Sequence, residues 1–212
     1  MTPEKIRYGR DYYEGILGRS SSNSQRNRNR LEIILGRKRE GALLEIGCGK
    51  GEFLQLAASY FQVEGIDISK YAVDSSKRLI NGRIRRGDVE HTHLQANTYN
   101  VIAAFNVFEH LKKPDIAINK VYNALRNGGL FIGSVPYNAA LIGRVYTVLT
   151  NILDTTHCST YPPHRWDFLF EATEFRKKTY FGEVVFGKNL NVFLRHKFWR
   201  FMSLNMVFLC EK

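Results

Sequence analysis

Cysteine is scarce in this 212-residue chain: Cys48, Cys158 and Cys210 stand far apart and form no CxxC pair. An odd, sparse set of thiols argues against a disulfide framework and fits a reducing compartment, so a cytoplasmic location is expected. Long apolar runs are missing, and with them any candidate membrane span. The first ten residues, Met1 to Arg10, carry charge without an apolar stretch behind it, which argues against a secretory signal. No internal repeat is visible. Acidic residues are outnumbered, with 20 Asp and Glu against 31 Lys and Arg, for a formal net charge of +11.

The positive excess is clustered. Arg19, Arg26, Arg28, Arg30, Arg37, Lys38 and Arg39 form one group, Lys77, Arg78, Arg83, Arg85 and Arg86 a second, and Arg195, Lys197 and Arg200 a third. Such patches attract phosphates, nucleic acid or anionic surfaces, although a solvated basic face accounts for them equally well. Apolar residues make up 44% of the chain, enough for one sizeable core and hence one domain.

Along the chain, strand and helix patterns alternate. Ser20 to Arg30 reads as a loop or a polar helix start, and Leu31, Ile34 and Leu35 as a short amphipathic helix. Leu43 to Ile46 is a buried strand, followed by a glycine-rich turn and helical spacing from Phe53 to Tyr60. Phe61 to Ile66 is a second strand, and Ser69 caps a helix through about Leu79. Arg83 to Arg86 and Asn100 to Phe105 are strands three and four. Pro114 opens a helix that Asn127-Gly128-Gly129 stops, and Leu130 to Val135 is strand five. Phe175 to Phe186 and Ser203 to Cys210 are two more strands, joined by a basic, aromatic connector. Nearly all-apolar central strands alternating with helices specify a parallel sheet covered on both faces. The expected fold is therefore α/β, doubly wound and Rossmann-like: a mostly parallel, seven-stranded sheet with an antiparallel C-terminal hairpin at its edge.

Four chemical motifs follow consecutive strands. Glu45-Ile46-Gly47-Cys48-Gly49-Lys50-Gly51 allows a sharp turn and close approach of a ligand to the backbone, beside a helix start. It does not meet the G-x-G-x-x-G dinucleotide fingerprint, whose third glycine would fall at Glu52. Asp67 ends strand two, where an acid can accept from ribose hydroxyls or cap the next helix. Gly87-Asp88-Val89 follows strand three and, taken alone, reads as an ordinary exposed turn sooner than as an adenine contact. Asn106 to Leu111 follows strand four. Ligands of open parallel sheets lie outside the carboxyl ends of the strands, where all four motifs fall.

The segments LLEIGCGKGEFL, VEGIDIS, GDVE, YNVIAAFNVFEHLKKPD and LRNGGLFIGSVP together resemble the core of class I S-adenosylmethionine-dependent methyltransferases, in the broad subgroup that includes ubiquinone-biosynthesis and sugar O-methyltransferases. They cover less than half of the chain. The resemblance implies S-adenosylmethionine as cofactor and S-adenosylhomocysteine as product. It implies that Glu45 holds the cofactor's amino group, that Gly47, Cys48, Gly49 and Gly51 line its methionine part, and that Asp67 binds ribose with Ile68 against the adenine. Asp88 and Val89 would flank the adenine, and Asn106 and Val107 would lie beneath the methionine portion. It also implies that residues 1–40, with Tyr8, Tyr12 and Tyr13, form a helical lid, that 41–212 are the catalytic domain, and that 137–165 cover the acceptor.

A sulfonium methyl is already activated, so alignment of the acceptor carries most of the catalysis. His110 and His157 are the catalytic candidates, either as base or as substrate-orienting groups. His157, Cys158 and His164 lack a clear fourth ligand, so no metal is expected. Trp166, Phe168, Leu169 and Phe170 read as core. The expected activity is methyl transfer to a small molecule or glycan, at oxygen. A nucleic-acid methyltransferase would use the basic surface but lacks the N/D-P-P-Y/F set after strand four. A non-catalytic interaction module that kept the cofactor fold is the third reading.

Overall fold

A strand whose residues are nearly all apolar must be covered on both faces, and so belongs in the middle of a sheet. In the computed structural model β1 (Ala42–Ile46) holds that place, flanked in parallel by β2 (Gln62–Asp67) and β4 (Tyr99–Phe105). Outside these, β3 (Arg83–Arg86) pairs parallel with β2 and β5 (Leu125–Pro136) parallel with β4. Three antiparallel strands complete the edge: β6 (Lys177–Phe186), β7 (Leu190–Leu194) and β8 (Asn205–Glu211), with β8 lying between β5 and β6. The order β3-β2-β1-β4-β5-β8-β6-β7 makes an eight-stranded sheet. The parallel half and the antiparallel edge are as expected; the further strand, β7, comes from the basic connector. The structure describes residues 8–15, 24–139, 144–145, 147–149, 152, 154–186, 190–194 and 203–212. Arg19, Arg195, Lys197 and Arg200 lie outside these, as do 1–7 and 16–23 of the N-terminal segment and 140–143, 146, 150–151 and 153 of the stretch expected to cover the acceptor. Among the described residues no helix is long and apolar enough to cross a membrane.

The pleat of β1 sends Leu43 to one face and Leu44 and Ile46 to the other, giving two cores. One lies beneath α2 (Ser24–Leu35), α3 (Glu52–Ala57) and α4 (Lys70–Leu79), through Ile34, Phe53, Leu54 and Val73. The other lies beneath α5 (Pro114–Ala124) and α6 (Pro163–Glu171), through Ile118, Val121, Trp166 and Phe170. In the second core Phe131 packs on Phe208, ring centroids 5.0 Å apart, and Phe208 on Phe170 at 4.7 Å. Truncating such a buried ring costs about 3–5 kcal/mol. Ser69 caps α4 as expected, its hydroxyl accepting from the Ala72 N–H at 3.2 Å.

Of the two readings of the polar stretch before Leu31, the helix holds from Ser24, which begins the first half of α2, and that half buries Arg26, Asn27 and Arg30. Two local expectations need correction. The helix α5 ends at Ala124, and Leu125 already pairs with Tyr99. Asn127-Gly128-Gly129 thus falls within β5, next to an irregular step in the β4–β5 register. Phe168 is 67% exposed: the helical period of α6 turns Trp166 and Phe170, four residues apart, inward and leaves Phe168 outward.

Candidate active site

The chain runs outward from β1 to β2 and β3, then returns across the sheet to β4, so the carboxyl ends of β1 and β4 diverge and leave a crevice. A cavity of about 290 Å³ opens there. Of the residues singled out in sequence, Glu45, Gly47, Cys48, Gly49, Asp67 and Ile68 line it, and so do Asp88, Val89, Asn106, Val107, His110 and His157. Gly51 does not; it caps α3 with φ +90°, and a Cβ there would meet Ile80 and Ser76. Gly47 has a different reason to be glycine. At φ +70° its missing Cβ would stand 2.4 Å from Val107 Cγ2, so the turn after β1 and the turn after β4 are pressed together.

Asp67 is the organising acid of one end. Its Oδ1 accepts from the Ser69 N–H at 2.8 Å and its Oδ2 from the Gly49 N–H at 2.9 Å. Burial pushes its carboxyl up, and these hydrogen bonds offset part of that. The Tyr13 hydroxyl donates to both oxygens, at 3.2 and 3.4 Å, from α1 (Arg10–Glu14). Glu45 is buried with Oε2 lacking a hydrogen-bond partner among the described residues. Burial pushes this carboxyl well up, against the pull of Arg30. Asp88 is less available than its position suggests: its carboxylate accepts from the Glu90 N–H at 2.9 Å and lies 2.9 Å from His91 Nδ1.

Asn106, at φ +55°, anchors the floor. Its Oδ1 accepts from Arg26 at 3.1 Å and from the Ser134 hydroxyl at 2.8 Å. Arg26 and Arg30 both pair with Glu183, which is fully buried in β6. Burial raises the Glu183 carboxyl, but the two guanidinium groups outweigh it and bring it down to about 2. This platform escaped the sequence reading, which counted both arginines toward a surface patch; their i, i+4 spacing, which puts them on one helix face, was the available signal.

The other end of the cavity is built from the turn after β4 and the segment before α6. His110 Nδ1 lies 2.7 Å from the Thr156 hydroxyl, which donates to Asp154. Asp154 also accepts from the Tyr12 hydroxyl at 3.0 Å, and His157 Nε2 is 4.0 Å from it. Burial lowers the His157 pKa, and Asp154 partly restores it. Glu109 is buried, which lifts its carboxyl to about 8, and its Oε2 has no hydrogen-bond partner among the described residues. Cys158 is exposed and His164 lies on the outer face of α6, so neither joins His157. Asp154 and Glu109 were missed as site residues, although D-T-T-H and E-H place each acid within a turn of a candidate histidine.

Residues 21–179 match the family model described as a methyltransferase domain. A malonyl-[acyl-carrier protein] O-methyltransferase of Halalkalibacterium halodurans is 29% identical over 122 residues, which is 50% of this chain and 45% of that protein. The chain thus spans less than half the length of this curated relative. Among solved structures, a SAM-dependent methyltransferase of Thermotoga maritima superposes with a TM-score of 0.74 at 14% identity, covering 91% of both chains. Magnesium protoporphyrin IX methyltransferase of Synechocystis, solved with bound SAH, gives 0.68 at 15% identity, covering 98% of this chain and 93% of that one.

Proposed function

The chain belongs to the methyltransferase-domain family, a class I fold that uses S-adenosylmethionine, and we propose that it methylates an oxygen of a small-molecule or glycan acceptor. The observation that carries this reading is the pairing, in one cavity, of a buried carboxylate oxygen on Glu45 without a partner and an Asp67 carboxylate held open by two backbone N–H groups. The residues fit the cofactor. The Glu45 oxygen suits an ammonium, and an unpaired buried acceptor is costly until such a donor arrives. Asp67 suits a ribose diol, at the place where Tyr13 now donates. Ile68 and Val89 offer apolar contacts to the adenine, with Asp88 beside them, and Gly47, Cys48, Gly49, Asn106 and Val107 flank the methionine portion. Gly51 acts by shaping the turn.

When bound, S-adenosylmethionine supplies an electrophilic methyl group. The protein's part is to orient the acceptor and exclude water. His110 and His157 face the acceptor end and act on the attacking oxygen. Tyr8, Tyr12 and Tyr13 close the cavity as the N-terminal lid, tied down by the Ser69 hydroxyl to Tyr8 O and by Tyr71 to Glu14. Burial of Arg26 and Arg30 removes two charges from the surface a nucleic acid would need, which supports an enclosed, small acceptor. Three free cysteines support a cytoplasmic place of action.

The test is calorimetric titration with S-adenosylmethionine and S-adenosylhomocysteine beside Asp67→Ala. Saturable binding that the substitution weakens by about 10- to 100-fold, the loss of one or two charge-assisted hydrogen bonds, is expected. Folded protein that binds neither compound would remove the enzyme reading.

A further inference from the structure

We propose that Glu109, His110 and His157 hold a divalent transition-metal cation at the acceptor end of the cavity, where it grips the acceptor's oxygen. The role of the ion rests on the methyl-transfer reading above; its presence does not. One ligand atom from each of the three residues lies within 4.8 Å of the others, and all three line the cavity. Glu109 is 1% exposed, and its Oε2 has no hydrogen-bond partner among the described residues. A carboxylate oxygen buried without a donor is costly, and a cation is one of the few groups that can relieve it.

The surroundings are those of a built site. The two contributing segments are locked together by the N–H groups of Cys158 and Ser159, both donating to the Glu109 carbonyl at 2.8 Å, and by the Ser159 hydroxyl to Leu111 O at 2.7 Å. The imidazoles of His110 and His157 are thereby held with centroids 4.8 Å apart. The single proton of the Thr156 hydroxyl goes to Asp154, so the hydroxyl must accept from His110, which puts the ring proton on Nδ1 and the ligating lone pair on Nε2. An outer carboxylate that fixes a histidine tautomer in this way is the usual support of a metal ligand. Asp154 is itself fixed by Tyr12, so the lid touches the outer shell.

Two imidazoles and one carboxylate favour zinc, manganese, iron or cobalt over magnesium or calcium. Three protein ligands leave a coordination position open to the cavity, where an acceptor oxygen can bind. A cation there acidifies a hydroxyl. The hydroxyl's proton leaves to solvent and the oxygen's electron pair forms the bond to the methyl carbon. The carbon–sulfur bond breaks, and its pair stays on sulfur as S-adenosylhomocysteine. The site therefore selects acceptors that present an oxygen donor.

The experiment uses the untagged full chain, stripped with chelator and titrated with Co²⁺, followed by its visible d–d absorption, and with Zn²⁺ by calorimetry. One equivalent of each is expected to bind. Glu109→Gln and His157→Ala, checked by circular dichroism, should each weaken binding by at least about 100-fold, more than an outer-shell change does; Cys158→Ser should not. Absence of binding, or binding that both variants leave intact, would overturn the proposal. S-adenosylhomocysteine is titrated in the same samples. Its retained binding without any metal binding would sink the metal site alone, and metal binding without it would sink the methyl-transfer reading alone.

Discussion

The two ends of the cavity are built in different ways. The Asp67 end is made of backbone turns that directly follow strands, with the N–H groups of Gly49 and Ser69 aimed at one carboxylate. The His110 end is made of side chains from separated segments, with Tyr12 and Asp154 meeting across 142 residues of sequence and Glu109 and His157 beside them. The difference teaches where each function's information is kept. On the proposed function, the pocket for a constant cofactor is written in local turns, and the pocket for a particular acceptor in tertiary contacts.

Arg26, Arg30 and Glu183 hold the Asn106 floor of the cavity, so breaking this platform should damage both ends and erase the contrast. Glu183→Ala leaves two buried guanidinium groups without their counter-charge and should destabilise the fold by about 3–5 kcal/mol in denaturant unfolding. The same platform gives a pH signature. Because the Glu183 carboxyl is brought from its ordinary 4.5 to about 2 in the folded chain, its contribution is complete above about pH 4.5. It is lost as the pH falls toward 2, at most about 3 kcal/mol in all. Acid unfolding of Glu183→Gln should lack that component.

Smaller changes sharpen the contrast. Glu45→Gln keeps the shape but loses the charge for a ligand ammonium and should weaken S-adenosylmethionine binding by about 10-fold, with little effect at the acceptor end. Tyr13→Phe should act in the opposite direction. It removes a competitor for Asp67 and should tighten binding by about 3- to 10-fold in the same titration. Cofactor binding should also release protons, because burial pushes the Glu45 carboxyl up and a bound ammonium would bring it back down, and the measured enthalpy should vary with the ionisation heat of the buffer.

The same contrast explains what was legible in the sequence. Strand and helix alternation, the Ser69 cap and the glycine turn are local patterns, and the parallel half of the sheet followed from them. Gly47 was legible as a tight turn, while its contact with Val107 was not, since that partner lies on another strand's loop. Arg26 and Arg30 looked like solvated charge because Glu183, which neutralises them, is over 150 residues away. The strand β7 lay in a connector whose basic residues masked its pairing with β6. Phe168 was misplaced because a run of apolar residues on a helix cannot all face inward.

The most direct measurement compares S-adenosylhomocysteine affinity in Asp67→Asn and His157→Ala against the parent chain. Separate cofactor and acceptor ends predict at least about a 10-fold loss for the first and a change within about 2-fold for the second. Equal losses in both, or none in Asp67→Asn, would contradict the account.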